Sequence, residues 1–419
     1  MTQEFLYKTL LDTMFASRAN KRYGKDSIDF EVAWVPKLMH MIREVDDREF
    51  RVDENFAFIT SVPRWREIFA TLAEGRIGDH LLCDTLSPYV ERELHDRTFN
   101  NRIGKGMQAA VNQVIEDIAE VTRDYTEPAR VMKWDLKGFF PNANCDYMQQ
   151  CFDFIIDKYT QEITETYGEE MPGLLHWLTM VLIHCCPAHH CTLRTPKVLW
   201  KFIEPEKSLF TKPEGIGVPI GRLSSQMGMG LYINEEVCWL NDECGIRTTV
   251  FMDDGVMVVP EEQHEFALSL IPQLRTRLQA KGVRLNEKKF YDQPWQHGLE
   301  FLGTNIRKGR LHLSNKTFGR CMERVDEFNR QRNKEQLINK FISSVNSYAG
   351  MLKAHSSHKR IERLRESINQ EWMQYVEWDE RRMCVVARPG YTERDLLIKK
   401  YNLKIKKKND TVRKAAVAQ

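Results

Sequence analysis

Residues 248–259, Thr-Thr-Val-Phe-Met-Asp-Asp-Gly-Val-Met-Val-Val, predict a β-hairpin that carries two adjacent carboxylates at its tip. The β-branched and apolar residues at 248–251 and 256–259 favour strands. Residues 252–255 between them contain the Asp-Gly pair that is typical of a tight hairpin turn. Neighbouring carboxylates repel each other unless a cation neutralises them. Asp253 and Asp254 are therefore candidate metal ligands, with a plain solvated turn as the alternative.

The composition is that of a globular protein large enough for two or three packed units. Of its 419 residues 42% are hydrophobic and 29% charged, which excludes a disordered or fibrous chain. No apolar run approaches the roughly 20 residues of a membrane span, and residues 1–20 lack a signal-peptide pattern. The ten cysteines are scattered like reduced thiols. We expect a cytoplasmic protein without a membrane partner.

The net charge of +2 hides a strong asymmetry along the chain. Residues 307–419 contain 27 Lys and Arg against 13 Asp and Glu, a net of +14, so residues 1–306 carry −12. A basic C-terminal third beside an acidic main body suggests a polyanionic partner. A solvated basic helical face is the alternative explanation.

Hydrophobic periodicity predicts an α+β architecture, with helices packed on a small antiparallel sheet. The predicted strands are residues 56–59, 129–135, 248–251, 256–259, 289–292 and 299–306. The predicted helices are residues 1–45, a segment from 106 onward, 146–156, 172–184, a segment after 221, 261–281 and several beyond 314.

A further acidic candidate, Asp135, ends the predicted strand at residues 129–135, just before a turn at Pro141 and Asn142. If that strand pairs beside the hairpin, the carboxylate of Asp135 converges with those of Asp253 and Asp254. A helix N-cap or turn role is the alternative for Asp135.

Seven segments in this order resemble the conserved motifs of the reverse transcriptase family, and the resemblance covers roughly residues 25–350. Two resemble the fingers motifs and five resemble motifs A to E. They are residues 62–68 (VPRWREI), 102–106 (RIGKG), 135–140 (DLKGFF), 217–226 (GVPIGRLSSQ), 251–254 (FMDD), 285–289 (LNEKK) and 299–303 (LEFLG).

The resemblance implies a right-hand polymerase with fingers, an antiparallel-sheet palm and a helical thumb. It places the fingers with an N-terminal helical part at 1–125 and the palm at 126–305, with an insertion at about 157–213. The thumb follows at 306–375 and a basic extension at 376–419. The implied activity is RNA-directed DNA synthesis with two Mg²⁺ ions, for which Mn²⁺ is a substitute.

The resemblance also implies roles for individual residues in metal binding. Asp135 and Asp253 would ligate the metals, Asp254 would complete the acidic site, and the backbone carbonyl of Leu136 would supply another oxygen.

Residues that would bind the incoming dNTP follow from the same motifs. Phe140, with Phe139 as its competitor, would exclude a ribose 2′-hydroxyl, although a buried core position is the alternative. Arg66 would grip the triphosphate, unless it forms a surface pair with Glu67. Lys288 or Lys289 would neutralise pyrophosphate, and Gln226 would line the nascent base pair unless it is an ordinary helix residue.

Contacts with the template and primer are predicted for Arg64, Arg102, Lys105, Gly221 and Ser225. Gly217 and Gly221 would bracket a turn whose backbone passes close to a ligand. The helical thumb would close on the template–primer duplex. RNA would also bind electrostatically to the tail lysines, unless the tail is disordered without a specific function; these are Lys399, Lys400, Lys404, Lys406, Lys407 and Lys408.

Two departures from the common motif wording bear on the biological role. Motif B has Ile-Gly before Ser225-Gln226, which is similar to reverse transcriptases of diversity-generating retroelements. Phe251 replaces the usual Tyr of motif C, which together with the basic C-terminal region favours a divergent antiphage defence enzyme that uses a noncoding RNA. A non-catalytic RNA-binding scaffold is the alternative of another class.

The expected partners are an RNA template, a DNA or protein primer and dNTPs, and a homo- or hetero-oligomeric assembly is left open. The crowded segment at residues 184–191 (HCCPAHHC) has zinc-ligand types without a zinc-ligand spacing, so packing is the favoured explanation for it.

Overall fold

The computed structural model describes residues 3–17, 25–52, 54–61, 64–308, 310–355, 357–393, 395, 396 and 399. The chain divides into two compact units, Met1–Trp295 and Gln296–Gln419. None of the helices in the described ranges is long and apolar enough to cross a membrane.

The first unit contains ten described α-helices and seven strands. Its helices are α1 (Gln3–Ser17), α2 (Lys25–Val32), α3 (Trp34–Asp46), α4 (Ala73–Glu93), α5 (Met107–Val121), α6 (Cys145–Lys158), α7 (Thr160–Tyr167), α8 (Met171–His184), α9 (Leu223–Cys238) and α10 (His264–Ala280). Its strands are β1 (Asn55–Thr60), β2 (Arg66–Thr71), β3 (Ala129–Asp135), β4 (Cys191–Leu193), β5 (Arg247–Phe251), β6 (Asp254–Pro260) and β7 (Tyr291–Pro294).

The palm sheet has four strands in the order β5-β6-β3-β7, and all of its pairings are antiparallel. Its strands are rich in Val, Met and Trp side chains, which are buried against the main hydrophobic core. Helices α5, α9 and α10 contact this sheet. The predicted α+β class with an antiparallel palm is confirmed, and it is consistent with the right-hand polymerase fold.

A second, smaller sheet, which we call the fingers sheet, has the order β2-β1-β4. Short 3₁₀ helices at Lys197–Phe202, Pro205–Lys207 and Leu209–Thr211 follow β4. Leu209 from the last of them packs with Ala57 and Phe69 of the sheet in a separate small core. The stretch predicted as irregular up to about residue 213 therefore covers one face of the fingers sheet.

Helix α4 has no counterpart in the sequence-based prediction. It packs against α1, α2, α6, α8 and α9, and twelve of its residues are buried. A helix that is buried on most sides carries no amphipathic stripe. Gly75, Gly78 and Pro88 further obscure its helical pattern.

The second unit combines a three-stranded sheet, three helices and a hairpin. Its strands are β8 (Leu299–Phe301), β9 (Thr304–Arg307), β10 (Arg310–Leu313), β11 (Val376–Asp379) and β12 (Cys384–Ala387), and its helices are α11 (Asn315–Asn329), α12 (Ile338–Ala354) and α13 (His358–Glu366). The single strand predicted at 299–306 is wrong: Leu302 and Gly303 have positive φ and form the turn between β8 and β9.

The unit boundaries differ from the predicted domain bounds. The β8–β10 sheet belongs to the second unit, although the predicted palm extends to residue 305. Hairpin β11–β12, in the predicted extension, packs on α12 and shares its core around Phe341 and Trp372. The predicted tail lysines other than Lys399 lie outside the described residues. Lys399 forms an ion pair with Glu335 at 3.3 Å.

Candidate active site

The register of the palm sheet brings the predicted carboxylates together. Asp135, the last residue of β3, pairs directly with Asp254, the first residue of β6. Asp253 occupies the turn before it, and its backbone carbonyl accepts a hydrogen bond from the Leu136 N–H at 2.8 Å. Residues 118 positions apart in the sequence therefore share one end of the sheet.

The turn between β5 and β6 differs from the predicted Asp-Gly turn. Phe251 pairs with Asp254, so Met252 and Asp253 form a two-residue turn in which Met252 has a φ of 55°. Gly255 lies inside β6, opposite Trp134. A Cβ atom at position 255 would lie 2.2 Å from the Trp134 ring, so the indole requires glycine there.

The carboxylate of Asp253 is repelled by the two neighbouring carboxylates. Burial, followed by the negative charges of Asp254 and Asp135, raises the pKa of Asp253 to about 6. The Arg66 guanidinium acts on this pKa in the opposite direction. Arg66 therefore lies within electrostatic reach of the Asp253 carboxylate.

Cationic and amide groups already surround the other two carboxylates. The buried carboxylate of Asp135 accepts hydrogen bonds from Asn286 Nδ2 at 2.9 Å and from Lys289 Nζ, which also forms an ion pair with it. Asp254 lies 3.5 Å from Lys133 Nζ. Of the two lysines that the sequence left as alternatives, Lys289 therefore contacts Asp135, whereas the Lys288 side chain is exposed.

These residues fit divalent metal ions in chemistry, although the ligands are not preassembled. Carboxylate and carbonyl oxygens are the ligands that Mg²⁺ prefers, and a like-charge cluster gains from a bound cation. In the described part of the chain, however, no three His, Cys, Asp or Glu side chains converge as a ready metal site. The Lys289 ammonium stands where a cation would neutralise Asp135, so a metal ion bound there would compete with this ion pair.

The two adjacent phenylalanines after Asp135 have different environments. Phe139 is buried and makes edge contacts with Phe140 and Tyr232 at centroid distances of 6.0 and 6.3 Å. Phe140 is half-buried and begins the 3₁₀ helix Phe140–Asn142. Phe139 is therefore a core residue, and Phe140 is the ring that a nucleotide can reach.

Arg66 and Glu67 are adjacent in the fingers strand β2, but their side chains have different environments. Glu67 is buried and accepts hydrogen bonds from Trp200 Nε1, Ser208 Oγ and the Leu209 N–H at 2.7 to 2.8 Å. It is therefore not the surface partner of Arg66. The Arg66 side chain is exposed, and its guanidinium forms no hydrogen bond or ion pair with any residue that the structure describes.

The predicted template contacts of the second fingers motif take a different role. Arg102 is buried, with its guanidinium bound to the Glu91 carboxylate and to the carbonyls of His95 and Thr98. Its donors are committed to the protein, which gives it a packing role. Lys105 pairs with Asp96 Oδ1 at 3.3 Å. Arg64 is exposed.

The glycines of motif B lie close to protein backbone. A Cβ at Gly221 would lie 2.4 Å from the Phe69 carbonyl of β2, and one at Gly217 would lie 2.8 Å from the Pro141 carbonyl. Ser225 is buried in α9, while the Gln226 side chain is half-exposed. Gly221 and Ser225 thus make packing contacts, while their predicted nucleic-acid contacts and the role of Gln226 stay predictions.

Three neighbours of the site were not assigned from the sequence. Lys133 lies two residues before Asp135, and strand periodicity could have placed both side chains on one face. Asn286 lies within a quoted motif but received no role. Asn100 Oδ1 accepts a hydrogen bond from the Met252 N–H of the turn at 3.3 Å, and no sequence pattern signals that contact.

The His184–Cys191 region does not form a metal centre among the described residues. His184 Nε2 lies 2.9 Å from Gln149 Oε1, and Cys185 Sγ lies 3.3 Å from the Val52 carbonyl. His184 and Cys185 thus contact neighbouring segments of the protein.

Comparisons with known proteins give distant structural similarity alone. No protein-family model matches the sequence, and no curated protein has a significant match to it. Among solved structures, apo telomerase from Candida tropicalis truncated from its C-terminal domain is 12% identical with a TM-score of 0.40, over 63% of this chain and 55% of that one. Telomerase from Candida albicans in complex with a fragment of telomeric RNA is 8% identical with a TM-score of 0.43, over 77% of this chain and 61% of that one.

Telomerase from Candida tropicalis with such an RNA fragment is 10% identical with a TM-score of 0.43, over 77% of this chain and 55% of that one. The chain thus spans little more than half the length of these telomerase chains. Similarity at this level carries no statement about activity or partners.

Proposed function

We propose that this chain is an RNA-directed DNA polymerase, which extends a primer 3′-hydroxyl with dNTPs along an RNA template. One observation carries the proposal: the register of β3 against β6 places Asp135 opposite Asp254 with Asp253 in the adjoining turn. Three aspartates at one end of a sheet, one of them with its pKa raised to about 6, are a destabilising arrangement that RNA binding alone does not require.

Asp135, Asp253, Asp254 and the Leu136 carbonyl would hold divalent metal ions. When bound, such ions lower the pKa of the attacking hydroxyl and neutralise the phosphates in the transition state. Arg66 offers a planar guanidinium for bidentate bonds to the triphosphate. Lys289, released from Asp135, can neutralise or protonate the pyrophosphate that leaves.

Phe140 supports a preference for deoxynucleotides. Its half-buried ring follows the end of β3 and is held by the contact with Phe139. A rigid aromatic ring beneath the sugar would clash with a 2′-hydroxyl. The proposed substrates are accordingly dNTPs.

We place this activity in antiphage defence with a noncoding RNA as template, which the net charge of +14 over residues 307–419 supports. A diversity-generating retroelement is the second candidate, supported by the Ile220-Gly221 and Ser225-Gln226 wording of motif B. Sequencing the nucleic acid that co-purifies with the protein separates the two.

Primer extension by the purified protein tests the enzyme proposal. Asp253→Asn removes a ligand charge without changing side-chain size, so we expect dNTP incorporation to fall about 1,000-fold or more. RNA affinity should stay within about twofold, because Asp253 makes no positive contribution to polyanion binding. Asp157→Asn, at an exposed carboxylate on α6, is the matched control. Incorporation by Asp253→Asn at the control rate would leave the scaffold as the explanation.

A further inference from the structure

Two aromatic rings stack on each other at the surface of the fingers. The Trp65 and Phe202 ring centroids lie 4.5 Å apart with an interplanar angle of 19°. The two residues are 42% and 46% exposed, and Val198, four residues before Phe202, is 62% exposed. An exposed stacked pair does not gain the free energy of burying its apolar surface, and its flat π face is accessible to a further ring.

The surroundings of this pair are basic. Arg64, Lys197 and Lys201 are exposed, and Lys201 Nζ lies 5.1 Å from the Phe202 ring centroid. No carboxylate of the described residues pairs with these three cations. The nearby Glu204 and Glu206 are paired with Lys207 and Lys137 at 2.8 and 2.5 Å. The aromatic face therefore carries an uncompensated positive charge.

The position of the pair connects it with the candidate active site. Trp65 directly precedes Arg66, whose charge acts on Asp253. Side chains alternate along a strand, and Glu67 points into the cover formed by Trp200 and Ser208. Trp65 stacks on Phe202 of the same covering segment, so the aromatic pair lies at the end of β2 where Arg66 begins the strand.

We infer that Trp65 and Phe202, with Arg64, Lys197 and Lys201, form a platform for single-stranded RNA. The inference rests on the proposed function and identifies its ligand as the unpaired part of the template strand. Base stacking on aromatic rings is tolerant of sequence, and lysine and arginine neutralise the adjoining phosphates. A neutral or basic protein partner would gain from the apolar face but not from three unpaired cations, whereas every nucleotide of a single strand supplies both a base and a phosphate.

Fluorescence anisotropy with labelled oligo(rU) of about 20 nucleotides, an unstructured probe, tests the platform. Trp65→Ala and Phe202→Ala should each weaken binding about 5- to 100-fold, because each removes a stacking surface. Trp65→Phe, which keeps a ring, should restore most of the affinity. Lys201→Gln should reduce the slope of log affinity against log salt by about 0.7.

Phe266→Ala is the matched control. Phe266 is 49% exposed on α10, and its neighbours Glu261, Glu262 and Glu265 are acidic. Its removal should leave RNA affinity unchanged. Equal binding by Trp65→Ala, Phe202→Ala and Phe266→Ala would overturn the platform, as would binding of an acidic protein to this face with no change in RNA affinity.

Failure of the RNA platform and failure of the proposed polymerase activity give different experimental results. Full incorporation by Asp253→Asn would defeat the polymerase and leave the measured RNA affinities as they are. Conversely, if Asp253→Asn loses incorporation while both platform variants bind RNA as the parent does, that result would support the polymerase and exclude the platform. Phe202→Ala guards against an indirect effect of Trp65 on its neighbour Arg66.

Discussion

The sequence correctly singles out Gly255, but for the wrong structural reason. The Asp-Gly pair suggests a turn, yet Gly255 lies in β6 with the Trp134 ring where its side chain would be. The turn instead uses Met252 at positive φ, which a side chain without β-branching tolerates at moderate cost. Packing across the sheet, absent from the local sequence, decided the role of this glycine.

At the same scale, Phe140→Ala should increase rNTP incorporation relative to dNTP incorporation by about 10- to 100-fold, because the ring that would meet a 2′-hydroxyl is removed. The ratio of kcat/KM values for each rNTP and dNTP pair measures this. Phe139→Ala is the contrasting variant: it should destabilise the fold by about 3–5 kcal/mol as a core truncation and leave the ratio unchanged. A change of ratio in Phe139→Ala alone would transfer the discriminating role to that ring.

The raised pKa of Asp253 predicts a coupling between pH, metal and stability. Because the folded-state pKa is about 6 and exceeds the usual 3.8, the native state binds the proton more tightly. This group therefore favours folding most below the unfolded pKa, and that contribution is lost as the pH rises through 6. Above that pH the carboxylate is ionised and repelled, which is the state that a divalent cation stabilises.

Thermal unfolding with and without Mg²⁺ checks this coupling. The rise in Tm on adding Mg²⁺ should be larger at about pH 7.5 than at about pH 5, since protons compete with the metal for the carboxylates. Asp253→Asn should be more stable than the parent at the higher pH without metal and should lose most of the Mg²⁺ effect. An equal Mg²⁺ shift at both pH values in both proteins would show that the metal binds elsewhere.

At the scale of elements, the motif B loop contacts both strand β2 of the fingers sheet and helix α4. Gly221 lies against the backbone of β2, and the Phe69 N–H donates to the Ile220 carbonyl at 3.0 Å. The next residue, Arg222, forms a buried bidentate pair with Asp79 of α4 at 3.0 and 3.1 Å. The loop that leads into α9 is therefore fixed from two sides.

Asp79→Asn should destabilise the protein by about 3–5 kcal/mol, because it leaves the Arg222 guanidinium buried without its counter-charge. Urea unfolding measures the loss. The double variant Asp79→Leu with Arg222→Met removes both charges and should recover much of the stability. A loss below about 0.5 kcal/mol in the single variant, typical of exposed sites, would contradict the burial of this pair.

At the scale of the whole molecule, the chain is two compact units with separate cores. The second core centres on Trp372, which is fully buried and stacks on Phe341 at a centroid distance of 3.9 Å. Trp372→Ala should cost about 3–5 kcal/mol in that unit. Differential scanning calorimetry should show a lowered transition that does not respond to Mg²⁺, while the Mg²⁺-dependent transition of the first unit keeps its Tm. Loss of the Mg²⁺ response would show that the units do not fold separately.

The sequence by itself determined the features that depend on short-range pattern. Short runs of β-branched and apolar residues predicted β3, β5 and β6, and apolar periodicity predicted α5, α6, α8 and α12. Residue type and motif order, which are properties of the sequence, were enough to identify the acidic residues at the strand ends, Asp135, Asp253 and Asp254.

Tertiary structure decided which side chains meet, since that depends on contacts between distant residues. It gave Lys289 rather than Lys288 to Asp135, made Phe139 a core ring and Arg102 a packing residue, and formed α4 without an amphipathic stripe. Burial on most sides removes the periodic signal of a helix, and register sets which carboxylates share an end of a sheet. Neither quantity exists until the chain is folded.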